Sequence, residues 1–522
     1  MNVQEQLREL IDRQHEHLRA EVPSDRRGAI LALLGIQSQL PRTSGVEPSP
    51  DIITGHRFTN LGGNKAVQLV LQANGDVIAS EQGLETWAER FLQECGWLAE
   101  AELVLAHCET GFMRLVETTP DRFDAWIATK REPTSWRERA DFDWWARWLA
   151  RRHQPELEAA SCDRDYCRFA EIQLEMMGYQ IGYPLDATIG GCTVQLYRDV
   201  LKWLIAHALQ AHDRGEEAMP RSEQVLIEAL ASALAADPEM VGQAVSGFTL
   251  DREGAAYHAA VPGIAAAPLI RVDADQLVWS LHGLTTEPLL FLTRELRRRD
   301  AQEYHNAGYL REIVFREDLY GLFPDKRFVT SAGRMKLRRT DGDVRTDIDA
   351  VIFDRKTGTL GIFELKSQDP FARSTAELAR QRDNVLYANR QISGTLDWLK
   401  RHGGDDLLNR VDARTAKTFR VQKVYPFVLG RYLAHFSDGA TPDRRAAWST
   451  WPQLLRLLDG QPVRATEANP IASLFTRLAH DDPSIQLPDN ERPREIAIGA
   501  ARLTIYPSHA DFRSNSHPDG MA

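Results

Sequence analysis

The chain has 522 residues, 43% hydrophobic and 26% charged, which excludes a disordered, collagen-like or coiled-coil protein and predicts roughly three domains. A formal charge of −11 excludes blanket adhesion to nucleic acid, because affinity for a phosphate backbone comes from cations; any such surface must be local. No run approaches the roughly 20 apolar residues of a membrane span, the N-terminus MNVQEQLRELIDRQHEHLRA lacks a signal peptide's apolar core, and the five cysteines are odd in number and scattered, so a cytoplasmic protein with reduced thiols and no membrane contact is expected.

In chain order, Gln4 to Val22 has helical periodicity, Lys65 to Ser80 offers a hairpin turning at Asn74-Gly75, and amphipathic helices are predicted over Leu84–Gln93, Ala99–Val116, Asp141–Arg152 and Val194–Ala211. Residues 1–245 are therefore an α-rich N-terminal accessory region. Short β-prone runs such as LIRVDADQLVWSL make 246–290 a small mixed connector. A helix over Ala301–Phe323, a strand over Arg327–Leu337, a hairpin, a long helix over Thr375–Lys400 and a strand over Thr418–Leu429 make 291–435 the most regular alternation in the chain. Residues 436–507 are a C-terminal extension expected to pack on that unit, and 508–522 a flexible tail.

Within this alternation, TDIDAVIFDRKTGTLGIFELKSQDP (346–370) places two apolar runs around the turn-like DRKTGT, which predicts strands over Thr346–Phe353 and Thr359–Ser367. Alternation puts Asp347, Asp349, Val351 and Phe353 on one face of the first strand, and Leu360, Ile362, Glu364 and Lys366 on one face of the second. Both faces are largely apolar, so Asp349, Glu364 and Lys366 are ionisable groups in a core. Burying them costs several kcal/mol per ion, by about the amount expected of desolvated charges, unless partners or a metal compensate. A Glu364–Lys366 ion pair would satisfy two of the three. Asp349 on the adjacent strand adds a second carboxylate, and two converging carboxylates make the oxygen-rich site that Mg²⁺ prefers.

Lysine is rare here: ten lysines stand against 63 basic residues in all, so a lysine kept within an arginine-rich chain points to a need for a compact ammonium. Two of the ten follow an acidic residue at the −2 position, Asp354-Arg355-Lys356 in the predicted turn and Glu364-Leu365-Lys366 in the strand. The segment 326–345, KRFVTSAGRMKLRRTDGDVR, has seven Lys/Arg against two Asp, the clearest local excess of positive charge.

Asp349 followed by Glu364-Leu365-Lys366 after an apolar strand resembles the PD-(D/E)XK, or restriction-endonuclease-like, nuclease superfamily, nearest to its nuclease-related and Holliday-junction-resolvase-like branches. The proline of the family's name is absent from TDIDA. The resemblance covers about residues 295–435 and implies an α+β multidomain chain, with the α-rich region followed by an αβββαβ core. It implies Mg²⁺-dependent hydrolysis of phosphodiesters in nucleic acid, DNA foremost, with Mn²⁺ as a substitute. Asp349 and Glu364 would hold the metal, Lys366 would position the attacking water, and Glu317 would add a carboxylate from the first helix. Glu317 is preferred to Glu312 because it shares a stripe with Leu310, Ile313 and Val314. Lys336, Arg338 and Arg339 would contact the nucleic-acid backbone, and Gln381 and Gln391 are polar candidates on the second helix. A large accessory region suits a bacterial defence, restriction or repair effector, with a partner protein or a homo-oligomer engaging through that region. The competing expectation is a nuclease fold that binds without turnover.

Other motifs carry less. Gly62-Gly63-Asn64-Lys65 lacks the spacing and the Ser/Thr of a phosphate loop, Cys162 and Cys167 lack a second pair for zinc, Gly190-Gly191-Cys192 lacks a base, and Trp136, Trp144, Trp145 and Trp148 read as a core face.

Overall fold

Asn2 starts the first helix, Val3–Ala20, with a reciprocal cap. Its side chain accepts from Glu5 N at 2.9 Å, and Glu5 Oε2 accepts from Asn2 N at 2.9 Å. The computed structural model describes residues 2–38, 50–73, 83–109, 111, 113–127, 134–215, 220–259, 266–286, 288–339, 341–368, 375–432, 442–480 and 493–506. The protein is α+β, 60% helical, with several small mixed sheets and an α-rich N-terminal region. No helix among the described residues is long and apolar enough to cross a membrane.

The hairpin expected at Lys65 is replaced by the helix Pro50–Gln72; residues 74–82 and the tail 508–522 lie outside the described residues. Ala66, Val67, Leu69 and Val70 repeat at helical spacing and are buried. Gly62 lets this helix lie against Leu84–Glu109, since a Cβ there would fall 2.0 Å from Leu92 O. The glycines that resembled a phosphate loop therefore serve helix packing, and Lys65 pairs with Glu102.

Residues predicted as the end of a helix, 113–116, instead begin an antiparallel hairpin, Met113–Thr119 with Arg122–Ile127. Ala501–Ile505 joins that hairpin in parallel, with Arg494–Ile498 beyond it. This corrects the expectation that 436–507 packs wholly on the preceding unit. Ile496, Ile498, Leu503 and Ile505 share the core of the first helices. The segment 246–290 is likewise not separate: its strands Leu269–Arg271 and Gln276–Trp279 make one sheet with Thr249–Leu250 and Arg221–Ser222.

The remaining unit contains α1 (Ala301–Gly321), β1 (Phe328–Thr330), β2 (Met335–Arg338), β3 (Val344–Ile348), β4 (Ala350–Asp354), β5 (Thr359–Lys366), α2 (Thr375–Val411, interrupted at Gly403), β6 (Lys423–Gly430) and β7 (Ala447–Thr450). Its sheet has the order β7-β6-β5-β4-β1, with β5, β6 and β7 parallel and β4 antiparallel to both β5 and β1. The single strand expected over Arg327–Leu337 is split. β1 stays in this sheet, whereas β2 leaves it to pair with β3 as a two-stranded ribbon.

Phe315 and Leu319 of α1 pack on one face of the sheet with Ala350, Ile352, Phe363 and Leu365. Trp398 and Leu407 of α2 cover the other with Val351, Phe353, Leu360 and Ile362. Covered on both faces, β4 and β5 are buried throughout, which is why their sequences read as continuous apolar runs. Trp145 joins the α1-side core, flanked by partly buried Trp144 and Trp148, so these three tryptophans form a packing face, while the side chain of Trp136 lies outside the described residues.

Candidate active site

The strand expected over Thr346–Phe353 breaks at Asp349. The register pairs Ala350 with Phe363, which brings Asp349 opposite Glu364. Asp349 is buried, and its Oδ2 accepts the Leu365 backbone N–H at 2.8 Å. A carboxylate thus takes the place of a ladder carbonyl, while the Asp349 carbonyl accepts from Arg316 Nη1 of α1 at 3.4 Å. The break shifts the alternation, so Ile348 faces the same core as Val351 and Phe353.

Glu364 and Lys366 occupy the face toward α2. Both are buried, and Lys366 Nζ donates to Glu364 Oε1 at 2.7 Å and to Gln391 Oε1 at 2.7 Å. Gln391, from α2, donates through Nε2 to Asp347 Oδ1 at 3.1 Å. Its amide therefore orients the lysine on one side and holds the ribbon strand on the other. Close approach of α2 to β3 depends on Gly394, where a Cβ would come within 3.2 Å of Thr346 Cβ.

The Glu364 carboxyl hydrogen-bonds to Asp349; burial and that neighbouring carboxylate push it up to about 8 against the pull of Lys366. Two buried carboxyls in contact share either a proton or a cation. An all-oxygen pair of neighbouring buried carboxyls suits a hard divalent ion such as Mg²⁺, with Asp349 and Glu364 as the residues that would hold it.

The structure separates the two helix glutamates in the opposite sense to the stripe argument. Glu317 is exposed, whereas Glu312 faces the site. Burial and the Asp349 charge raise the Glu312 carboxyl, and Arg334, Lys366 and Arg316 pull it back. The stripe failed because the buried side of α1 is the one that carries Tyr304, Ala307, Arg311, Phe315 and Leu319, three and four residues apart, whereas Leu310, Ile313 and Val314 on the other side are only half-buried. Read alone, the second half shows Glu312, Phe315, Arg316 and Leu319 at helical spacing on one side.

Lys336, Arg338 and Arg339 are exposed on the ribbon. Lys336 lies directly across from Asp347 in the β2–β3 register. Two cations that sequence reasoning missed belong to the site: Arg316, and Arg334, which pairs with Asp347 and lies 3.7 Å from Asp349 Oδ1. Arg334 sits two residues before Lys336, at the strand spacing that would have placed it on that face. Asp354-Arg355-Lys356, the other acidic-x-Lys triplet, lies away from this cluster. Asp354 is fully buried in an ion pair with Arg327, with Nη2 2.6 Å from Oδ2.

Compared with protein-family models, curated proteins and solved structures, the chain matches none. Among the described residues one group of three offers ligand atoms within 4.8 Å of one another, His17, Glu21 and Glu94. Arg90 already pairs with both glutamates there, at 2.8 and 3.9 Å.

Proposed function

We propose that the protein is a divalent-metal-dependent nuclease acting on DNA, with its active centre at the adjoining ends of β4 and β5. The observation that carries this is the placing of Asp349, bonded through Oδ2 to the Leu365 N–H, beside buried Glu364, with Lys366 Nζ held 2.7 Å from Glu364. A structural ion pair needs one acid per base. Here a second buried acid, Asp349, adjoins the pair and a third, Glu312, approaches it, with Arg334 and Arg316 beside them, a gathering of carboxyl oxygens that suits a bound cation. The order of helix, antiparallel strands, helix and parallel strand around the site supports the restriction-endonuclease-like reading.

A divalent ion on Asp349 and Glu364 would polarise a phosphodiester and make water nucleophilic near neutral pH. The chain's own groups do the positioning. Lys366, fixed by Glu364 and Gln391, presents an ammonium to the attacking water or to a non-bridging phosphoryl oxygen. The ribbon carries Lys336, Arg338 and Arg339 into solvent beside the carboxylates, where a phosphate backbone can be gripped without base contacts.

The test is incubation of supercoiled plasmid, linear duplex, single-stranded DNA and RNA with wild type and Lys366→Ala, in Mg²⁺, Mn²⁺ and EDTA. Cutting of DNA that EDTA abolishes and that Lys366→Ala lowers by about 100-fold or more is expected. Metal-bound protein that cuts none of the four would overturn the assignment.

A further inference from the structure

Two cations flank the carboxylate cluster, and they are held very differently. Lys366 lies within a strand, its side chain 8% exposed and bonded to Glu364 and Gln391. Arg334 lies in the bend between β1 and β2, its side chain 49% exposed. It follows Gly333, which has open space around it.

Arg334 nevertheless reaches the cluster more widely than any other cation. It pairs with Asp347, lies 3.7 Å from Asp349 Oδ1, and pulls the Glu312 carboxyl down. The oxygen it approaches matters. Asp349 Oδ2 accepts the Leu365 N–H, and Oδ1 is the oxygen that Arg334 approaches and the one a cation would meet with no backbone donor to compete with. A divalent ion on Oδ1 and a guanidinium beside it would repel one another, and the guanidinium is the exposed, loop-borne partner. Strand alternation puts Arg334 on the same side of the ribbon as Lys336 and Arg338.

We propose that Arg334 is a displaceable counter-ion: it neutralises the carboxylates while the site holds no metal, yields Asp349 Oδ1 to a divalent ion, and then joins Lys336 and Arg338 as a phosphate contact. This rests on the nuclease reading and adds a coupling to it, in which metal loading raises nucleic-acid affinity.

The experiment uses the full chain and two measurements that need no turnover. Calorimetry with Mn²⁺ alone compares wild type with Arg334→Gln and Arg334→Lys, and fluorescence anisotropy follows a labelled DNA oligonucleotide in EDTA and in Ca²⁺. Removing the competing charge should tighten Mn²⁺ binding by about fivefold or more in Arg334→Gln, with Arg334→Lys in between. Wild type should gain DNA affinity on addition of Ca²⁺, and Arg334→Gln should gain less. Equal or weaker Mn²⁺ binding by Arg334→Gln, with wild type binding normally, overturns the displacement alone. Absence of Mn²⁺ binding in wild type overturns the metal site and the displacement with it.

Discussion

Glu364 is the residue whose environment says most about the chemistry. Its carboxyl is raised from an ordinary 4.5 to about 8 by burial and by Asp349, so the metal-free site holds a proton at neutral pH. A divalent ion bound there as proposed would have to displace that proton. Metal affinity should therefore rise with pH, by up to about tenfold per unit, and level off above about 8. The sign for stability is the reverse. A raised acid favours the folded state most below 4.5, and that contribution is lost as pH climbs toward about 8. Thermal melts of the metal-free protein should thus fall across this window, and Mg²⁺ should restore most at its upper end. A metal affinity flat between pH 6 and pH 8 would show that Glu364 is not a ligand.

At the scale of elements, the site is a meeting of three supports. β5 and the break just before β4 supply Glu364, Lys366 and Asp349, α2 supplies Gln391, and α1 supplies Glu312. The strand residues were legible because a period of two has a single phase once the turn DRKTGT is recognised. The helix residues were harder, since a helix shows which of its residues share a side but not which side meets the sheet. Glu312 and Glu317 test this directly. Glu312→Gln should lower metal affinity and cleavage by about tenfold or more, whereas Glu317→Gln, exposed on the other side of α1, should stay within about twofold of wild type. The reverse ranking in parallel calorimetry and cleavage assays would restore the stripe argument.

Across the whole molecule, the helix Pro288–Arg299 ties the N-terminal region to the unit that carries the candidate site. Its buried Glu295 accepts from His258, Arg298 and Arg299, at 3.1, 2.6 and 3.0 Å. Its Arg294 and Arg297 pair with Glu377 in the first turn of α2, the helix that carries Gln391. Burial alone would raise Glu295, but the His258 and Arg298 hydrogen bonds outweigh it and hold the carboxyl at about 2. That stabilisation is present above about 4.5 and is lost as pH falls toward 2. Glu295→Gln leaves buried cations without their counter-charge and should cost on the order of 3 kcal/mol in urea unfolding at pH 7. The deficit should shrink in acid; an unchanged midpoint would mean the cluster contributes nothing net.

Some of this was decided by local patterns that need no partner to be read. An apolar hairpin, a tight turn, and an acid and a lysine at strand spacing within a lysine-poor chain identify β5 and its charged end, because alternation is set by backbone geometry. The break at Asp349 was not legible, since it depends on a Leu365 N–H from another strand. Arg334 and Arg316 were missed as site residues for the same reason, each being polar in a segment that sequence alone assigns to solvent, whereas Gln391 was a candidate whose partners, Lys366 and Asp347, only the fold supplies. The C-terminal strands that return to the N-terminal sheet rest on pairings almost 400 positions apart, such as Leu503 with Phe123. Which carboxylate a cation faces, and which sheet a strand joins, are settled by long-range packing, where the free energy of burial is shared among segments that no local pattern relates.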